Sequence, residues 1–491
     1  MCSFIFLRTN KFITPDQISH ANFYSKFRGP DHTSVQREMA QDGWHLTFVH
    51  NLLDISGRSL TQPARLEEQG TRLLALFNGE IYNYSELTDA KSDTACILPL
   101  YRENGVEMAV KLDGEFAILI YDQQANSSLV ITDPFLTKPL YIGRNYTSGD
   151  FGVSTCKSSL TSLGFEDVQM AKPNSTYQIE FNSAFISINH TFPVAKFDLN
   201  QHKNSYKDWF QAFLDAVYKR ATHGHYKPSV FLSSGYDSGG ICATLNYLKL
   251  PYTTFTILSG ESEELLADRK KTNNKSTCTK SFYYKGISAK QRKVIELDIL
   301  ENVENFKYWH EDAPGVVTDL HVDGGAVGGS LLAIKARRHK SFVVLSGSGS
   351  DEILSDYGFN GIKIYHHSEF GGCFPEDLNG FFPWKKFYGD TQRSYLFKDE
   401  FILGRHGLEG RYPFLDKKVV QEFLWLTPAL KNKAYKAPLA YLLDEFGYPY
   451  EEGIKRGFNP DILSHNPSNL LARAGMKVRS SVNKAKDVIF G

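Results

Sequence analysis

The apolar positions of this 491-residue chain fall into two regimes. In the first, short apolar runs sit between turn residues. Leu73 to Phe77, Ala117 to Tyr121 and Leu129 to Thr132 each lie near Asn, Asp or Gly and read as strands. The opening Met-Cys-Ser-Phe-Ile-Phe-Leu lacks a basic start and is too short for a signal peptide, so it reads as a first strand. Thr176 to Asn189 alternates as a strand pair would. From Phe192 to Asn204 the pattern fades into Pro, Lys, Asn and His. A boundary there gives one domain over 1–190 and a second over 205–491.

The second regime alternates strands with helices. Val230 to Leu232 is a short strand before a small-residue turn, and Ile241 to Leu250 reads as helix. Tyr252 to Leu258 is strand-like, Leu331 to His339 helical, and Phe342 to Leu345 a buried strand. That order predicts a doubly wound parallel sheet. Asp268 to Lys285 is polar and basic around Asn273-Asn274 and reads as a mobile loop. No repeat or low-complexity tract is evident.

Composition narrows the class. Hydrophobic residues are 42% and charged residues 22%, enough apolar material for packed cores in two or three domains. Lys plus Arg equals Asp plus Glu at 55 each, which gives no general attraction to nucleic acid or an anionic membrane. The cysteines, at 2, 96, 156, 242, 278 and 373, include no Cys-x-x-Cys pair. A reducing, cytoplasmic setting is expected, and no stretch is apolar enough to span a bilayer.

Two constellations carry chemistry. Cys2 would be the first residue once Met1 is removed, and a terminal Cys has its own amine as a base for the thiol. After it come Arg28-Gly29-Pro30-Asp31, His50, Phe77-Asn78-Gly79-Glu80-Ile81-Tyr82-Asn83, Ser92-Asp93-Thr94 and Leu112-Asp113-Gly114. In this order they resemble the class II glutamine amidotransferase domain, an N-terminal-nucleophile αββα sandwich. The resemblance implies that Cys2 attacks the glutamine amide and that Asn78 and Gly79 form the oxyanion hole. Asn78, Glu80 and Asp93 would bind glutamine, with Asp93 on its α-amine.

Further along, Leu232-Ser233-Ser234-Gly235-Tyr236-Asp237-Ser238 joins a strand to a helix. Small residues let backbone N–H groups approach phosphate there, and the helix start adds partial positive charge. It resembles the loop of ATP pyrophosphatases, with Ser234 in place of a Gly. Leu345-Ser346-Gly347-Ser348-Gly349-Ser350-Asp351-Glu352, the run from Gly407 to Asp416, and Lys455-Arg456-Gly457-Phe458 extend the likeness. Together the chain resembles the glutamine-hydrolysing asparagine synthetase family.

That resemblance implies ATP and Mg²⁺ as cofactors. Leu232, Ser233, Ser234, Gly235, Asp237, Ser238, Ser346, Gly347, Lys436 and Lys455 would bind ATP or pyrophosphate, with Asp237 and Asp351 on the metal. The expected reaction joins ammonia from glutamine to a carboxylic acid such as aspartate through an acyl-adenylate. The resemblance leaves room for a homodimer.

Three departures bear on function. The family arginine that clamps the glutamine α-carboxylate is Leu52, with Arg58 nearby as a substitute. The family Glu that handles the proton on ammonia is Ser348, with His310-Glu311-Asp312 either another source of a base or a solvated polar turn. Ala440 stands where an arginine is expected. They keep open an amide synthetase for another carboxylate in a specialised pathway, and a non-catalytic paralogue.

Overall fold

The computed structural model describes residues 2–456 and 458, apart from 56, 58, 59, 69, 182–185, 191–192 and 310–316. The first half is built on two antiparallel six-stranded sheets. One runs Asp167–Met170, Tyr141–Arg144, Phe151–Ser154, Ser3–Thr9, His45–Leu52, His32–Met39. The other runs Ile186–His190, Thr176–Phe181, Ser127–Thr132, Gly114–Asp122, Thr71–Ile81, Ala64–Glu68.

The near-continuous apolar runs follow from burial on both faces of the second sheet. Leu74, Leu76, Ala117 and Leu119 point with Phe4, Phe6 and Phe48 into the core between the sheets. Leu73, Ala75, Phe77, Ile118 and Ile120 point the other way, onto Cys96, Ile97 and Leu100 of the helix Asp93–Asn104. Helix Lys157–Thr161 packs on the first sheet. These layers form an αββα sandwich.

The second half holds a five-stranded sheet in the order Cys278–Tyr284, Tyr252–Ile257, Pro228–Phe231, Val343–Leu345, Glu409–Arg411. Every neighbouring pair is parallel. Pro228–Phe231 comes first in sequence and lies in the middle, so the chain winds outward in both directions. The gap between Pro228–Phe231 and Val343–Leu345 is the topological switch point, where open α/β sheets bind ligands beyond the strand ends. The last described part is helical, with Asp390–Arg405, Lys417–Trp425 and Ala437–Glu445.

One expectation fails. Asp268 to Lys285 is not a loop: it holds most of the helix Glu263–Asn274 and the sheet's edge strand Cys278–Tyr284. Ser262 caps the helix by accepting from the Leu265 N–H, and Leu265, Leu266, Arg269 and Asn273 form its buried stripe. Two of those four are polar, which hides the stripe from a hydrophobicity reading. The strand is polar because it is an edge.

Candidate functional site

Cys2 immediately precedes the strand Ser3–Thr9 in the first sheet, and its thiol points toward the Leu53 carbonyl at 4.0 Å. Burial pushes that thiol up to about 11, and the Glu409 and Glu80 carboxylates add to the rise. Arg28 donates from Nε to the Cys2 carbonyl at 3.3 Å. The next residue, Gly29, is required by space: a Cβ there would sit 2.2 Å from the Asn51 backbone.

Asn78 and Gly79 lie on the strand Thr71–Ile81 in the other sheet. Asn78 is fully buried, yet neither atom of its amide has a hydrogen-bond partner among the described residues. Folded interiors rarely leave such a group unpaired. Gly79 has φ of 133°, and a Cβ would lie 1.9 Å from the Glu115 carbonyl oxygen, so no other residue fits.

Glu80 and Asp93, the acids expected to bind glutamine, are partly engaged. Glu80 Oε2 meets His223 Nε2 at 2.6 Å, and Asp93 Oδ2 lies 4.0 Å from the same nitrogen. Arg411 approaches Glu80 at 3.3 Å. Burial, reinforced by Glu80, pushes the Asp93 carboxyl up to about 7 against the opposing pull of His223. His50 is buried too, and burial lowers its imidazole to about 3, so it is neutral. Leu52 is half-buried and gives its carbonyl to the Asp31 N–H at 3.0 Å. Arg58 and His310-Glu311-Asp312 lie outside the described residues.

In the second half, a cavity of about 250 Å³ opens at the switch point. Ser233, Gly235, Asp237 and Ser238 line it from the first loop, and Ser346, Gly347, Ser348 and Asp351 from the second. The loops touch because Gly347 lacks a Cβ, which would sit 2.6 Å from the Asp237 Cβ. Lys436 Nζ bridges Asp237 at 2.5 Å and Asp351 at 2.8 Å, and Lys455 Nζ meets Asp351 at 2.6 Å. Burial would raise the Asp351 carboxyl, but Lys436 and Lys455 outweigh it and hold the group far below the usual carboxylate range.

Three expected phosphate contacts do not line the cavity. Leu232 is buried beneath the loop, and Lys436 is buried below the two aspartates it bridges. Ser234 turns away: its N–H donates to Glu261 at 2.6 Å and its hydroxyl bonds the same carboxylate. Ser234 carries the hydroxyl that a Gly would lack, and Glu261 takes it.

The sequence reading also missed two features. Arg269, on the helix first read as a loop, donates to the carbonyls of Ser233 at 2.6 Å, Gly235 at 2.9 Å and Pro449 at 2.9 Å. It braces the first loop from behind. Asp399, on Asp390–Arg405, also lines the cavity; its Oδ2 accepts from Ser346 at 2.7 Å and Ser348 at 2.6 Å. No spacing rule links Asp399 to Ser348, which lies 51 residues earlier.

Buried charge joins the halves. Glu400 accepts from Arg28 at 2.7 Å, Lys138 at 3.0 Å and the Tyr412 hydroxyl at 2.9 Å. Arg220 donates to Glu115 and Asp416, both at 2.7 Å. No helix among the described residues is long and apolar enough to cross a membrane.

Comparison with known proteins agrees with this architecture. Residues 1–205 match the glutamine amidotransferase domain family and residues 209–376 the asparagine synthase family. A Methanocaldococcus jannaschii protein named as a glutamine-hydrolysing asparagine synthetase is 27% identical over 83% of this chain and 72% of its own length. The human glutamine-hydrolysing asparagine synthetase is 25% identical over 82% of this chain and 73% of its own. A solved Bacillus subtilis glutamine phosphoribosylpyrophosphate amidotransferase covers 57% of this chain and 80% of its own, at 10% identity and a TM-score of 0.33, too slight a likeness to carry weight.

Proposed function

Because the chain belongs to the asparagine synthetase family, we propose that it activates a carboxylic acid as an acyl-adenylate and amidates it with nitrogen from glutamine. The glutaminase domain would span 1–190 and the synthetase domain 205–491. The observation that carries the reading is the convergence of Asp237, Asp351, Lys436 and Lys455 beneath one cavity at the switch point.

In the first site, Cys2 sulfur attacks the glutamine side-chain carbonyl carbon. Removal of Met1 would leave an α-amine on Cys2 as the base that the buried thiol needs. The unpaired Asn78 amide and the Gly79 N–H would receive the oxyanion, and removing one such donor costs about 3 kcal/mol. Glu80 and Asp93 would take the glutamine ammonium, sharing their charge with His223.

In the second site, a substrate carboxylate attacks the α-phosphorus of ATP and pyrophosphate leaves. Lys455, which lines the cavity, offsets its charge. Asp237 and Asp351 are hard oxygen donors held together by one lysine, and they fit Mg²⁺. Bound there, the ion would screen the triphosphate.

Aspartate is the first acid to test. Ser348 in place of Glu favours a second reading, in which another carboxylate is the substrate. Pyrophosphate release with ATP, MgCl₂ and a panel of carboxylic acids separates the two. Release that depends on aspartate supports the first, and release with a different acid the second. Release with none overturns the adenylation reading.

A further inference from the structure

Ser348 poses a chemical problem that the reading above leaves open. A nitrogen nucleophile attacking an acyl-adenylate must lose a proton, and a serine hydroxyl cannot take it at neutral pH. The cavity offers four carboxylates: Asp237, Asp351, Glu352 and Asp399. Asp237 and Asp351 are neutralised by lysines. Glu352 is 2% exposed and accepts from the Tyr357 hydroxyl at 2.5 Å.

Asp399 differs from all three. It stands half-buried on the cavity wall, in contact with the second of the two loops. Both serine hydroxyls converge on its Oδ2, leaving Oδ1 without a hydrogen bond among the described residues. The Ser346 and Ser348 hydroxyls are themselves 3.2 Å apart, so the three groups form a closed triangle. Burial raises the Asp399 carboxyl, while Ser348, Ser346 and Lys398 pull the other way.

We infer that Asp399 is the general base for the nitrogen nucleophile, with Ser348 positioning its carboxylate where the family Glu would otherwise reach. The inference rests on the adenylation reading. In the step, the nitrogen lone pair attacks the acyl carbon and a C–N bond forms. The C–O bond to the phosphate of AMP breaks, and AMP leaves with that electron pair. The proton on nitrogen passes to Asp399 Oδ1.

The test is Asp399→Asn in the full chain, with ATP, MgCl₂ and whichever acid supports pyrophosphate release in the wild type. Three readouts are compared: ATP–pyrophosphate exchange, hydroxamate formation with hydroxylamine, and amide formation with ammonium chloride. Hydroxylamine is unprotonated at neutral pH and needs little help from a base. Exchange and hydroxamate formation should stay close to wild type, while ammonium-dependent amide formation falls about 100-fold or more. Adding Ser348→Glu to Asp399→Asn should recover a large part of the loss. Unchanged amide formation in Asp399→Asn overturns the proposal, as does an equal fall in all three readouts. The same selective loss in Glu352→Gln, with Asp399→Asn normal, moves the base to Glu352. A wild type with no exchange for any acid removes the adenylation reading and the base together.

Discussion

On the proposed reading, Cys2, Asn78, Leu52 and Asp93 would set whether the first half draws nitrogen from glutamine. Cys2→Ala should abolish glutamine-dependent amide formation and spare the ammonium-dependent reaction, because the phosphate machinery lies in a separate sheet. Equal loss with both nitrogen sources would make Cys2 structural. Leu52→Arg tests the missing carboxylate clamp. A charged hydrogen bond contributes about 1.5–3 kcal/mol, so the variant should lower the KM for glutamine about tenfold or more, at about 1.4 kcal/mol per tenfold. An unchanged KM would show that the clamp is supplied from elsewhere. Asp93 should be visible in stability. Its carboxyl is pushed up from the ordinary 3.8 to about 7 in the fold. Between those values the folded state holds a proton that the unfolded state has lost, so stability falls as pH rises. His223 adds to the slope, since its raised pKa gives stability that is full below 6.5 and lost as pH climbs through the folded value. The Tm of Asp93→Asn, followed over the same interval, should fall less steeply than the wild type's. Parallel curves would remove Asp93 as the titrating group.

The helix Glu263–Asn274 and the strand after it show what can be read from sequence and what cannot. Elements with apolar faces were legible: the strands around Leu73, Ala117 and Leu129, and those before the two phosphate loops, stand where the runs predict them. Glu263–Asn274 was not, because Arg269 and Asn273 occupy its inner face and bond to partners distant in sequence. The loops were legible because Gly, Ser and Asp at fixed spacing have a local reason to be there. Asp399 was not, because it reaches its site through a helix in another part of the chain. Arg269 gives the element-scale prediction. Arg269→Ala leaves three carbonyls without their donor and removes the brace of the first loop. It should cost about 3 kcal/mol or more in unfolding free energy and raise the KM for ATP. Denaturant unfolding that matches the wild type would show that water replaces the guanidinium.

At the scale of the whole molecule, the halves share a sealed ionic interior. Lys138 is fully buried and held by Glu400 and the Gly410 carbonyl, both from the second half. Glu115 is held by Arg220 and the Tyr412 N–H, again from the second half. Residues 1–205 expressed alone should therefore be unstable, since breaking a buried pair by removing one partner costs about 3–5 kcal/mol. A soluble, cooperatively unfolding fragment would show that these charges find water once the second half is gone. The helix Asp390–Arg405 gives this interior a historical consequence. Its neighbouring residues Asp399 and Glu400 have different partners, one Ser346 and Ser348, the other Arg28, which holds the Cys2 carbonyl. One turn of helix thus touches both candidate sites. A recombination that replaced either half with that of a distant cousin would strand matched charges on opposite sides of the joint. A seam of this kind ties the fate of one half to the other: a substitution that removes a charge on one side leaves its partner buried and unpaired on the other.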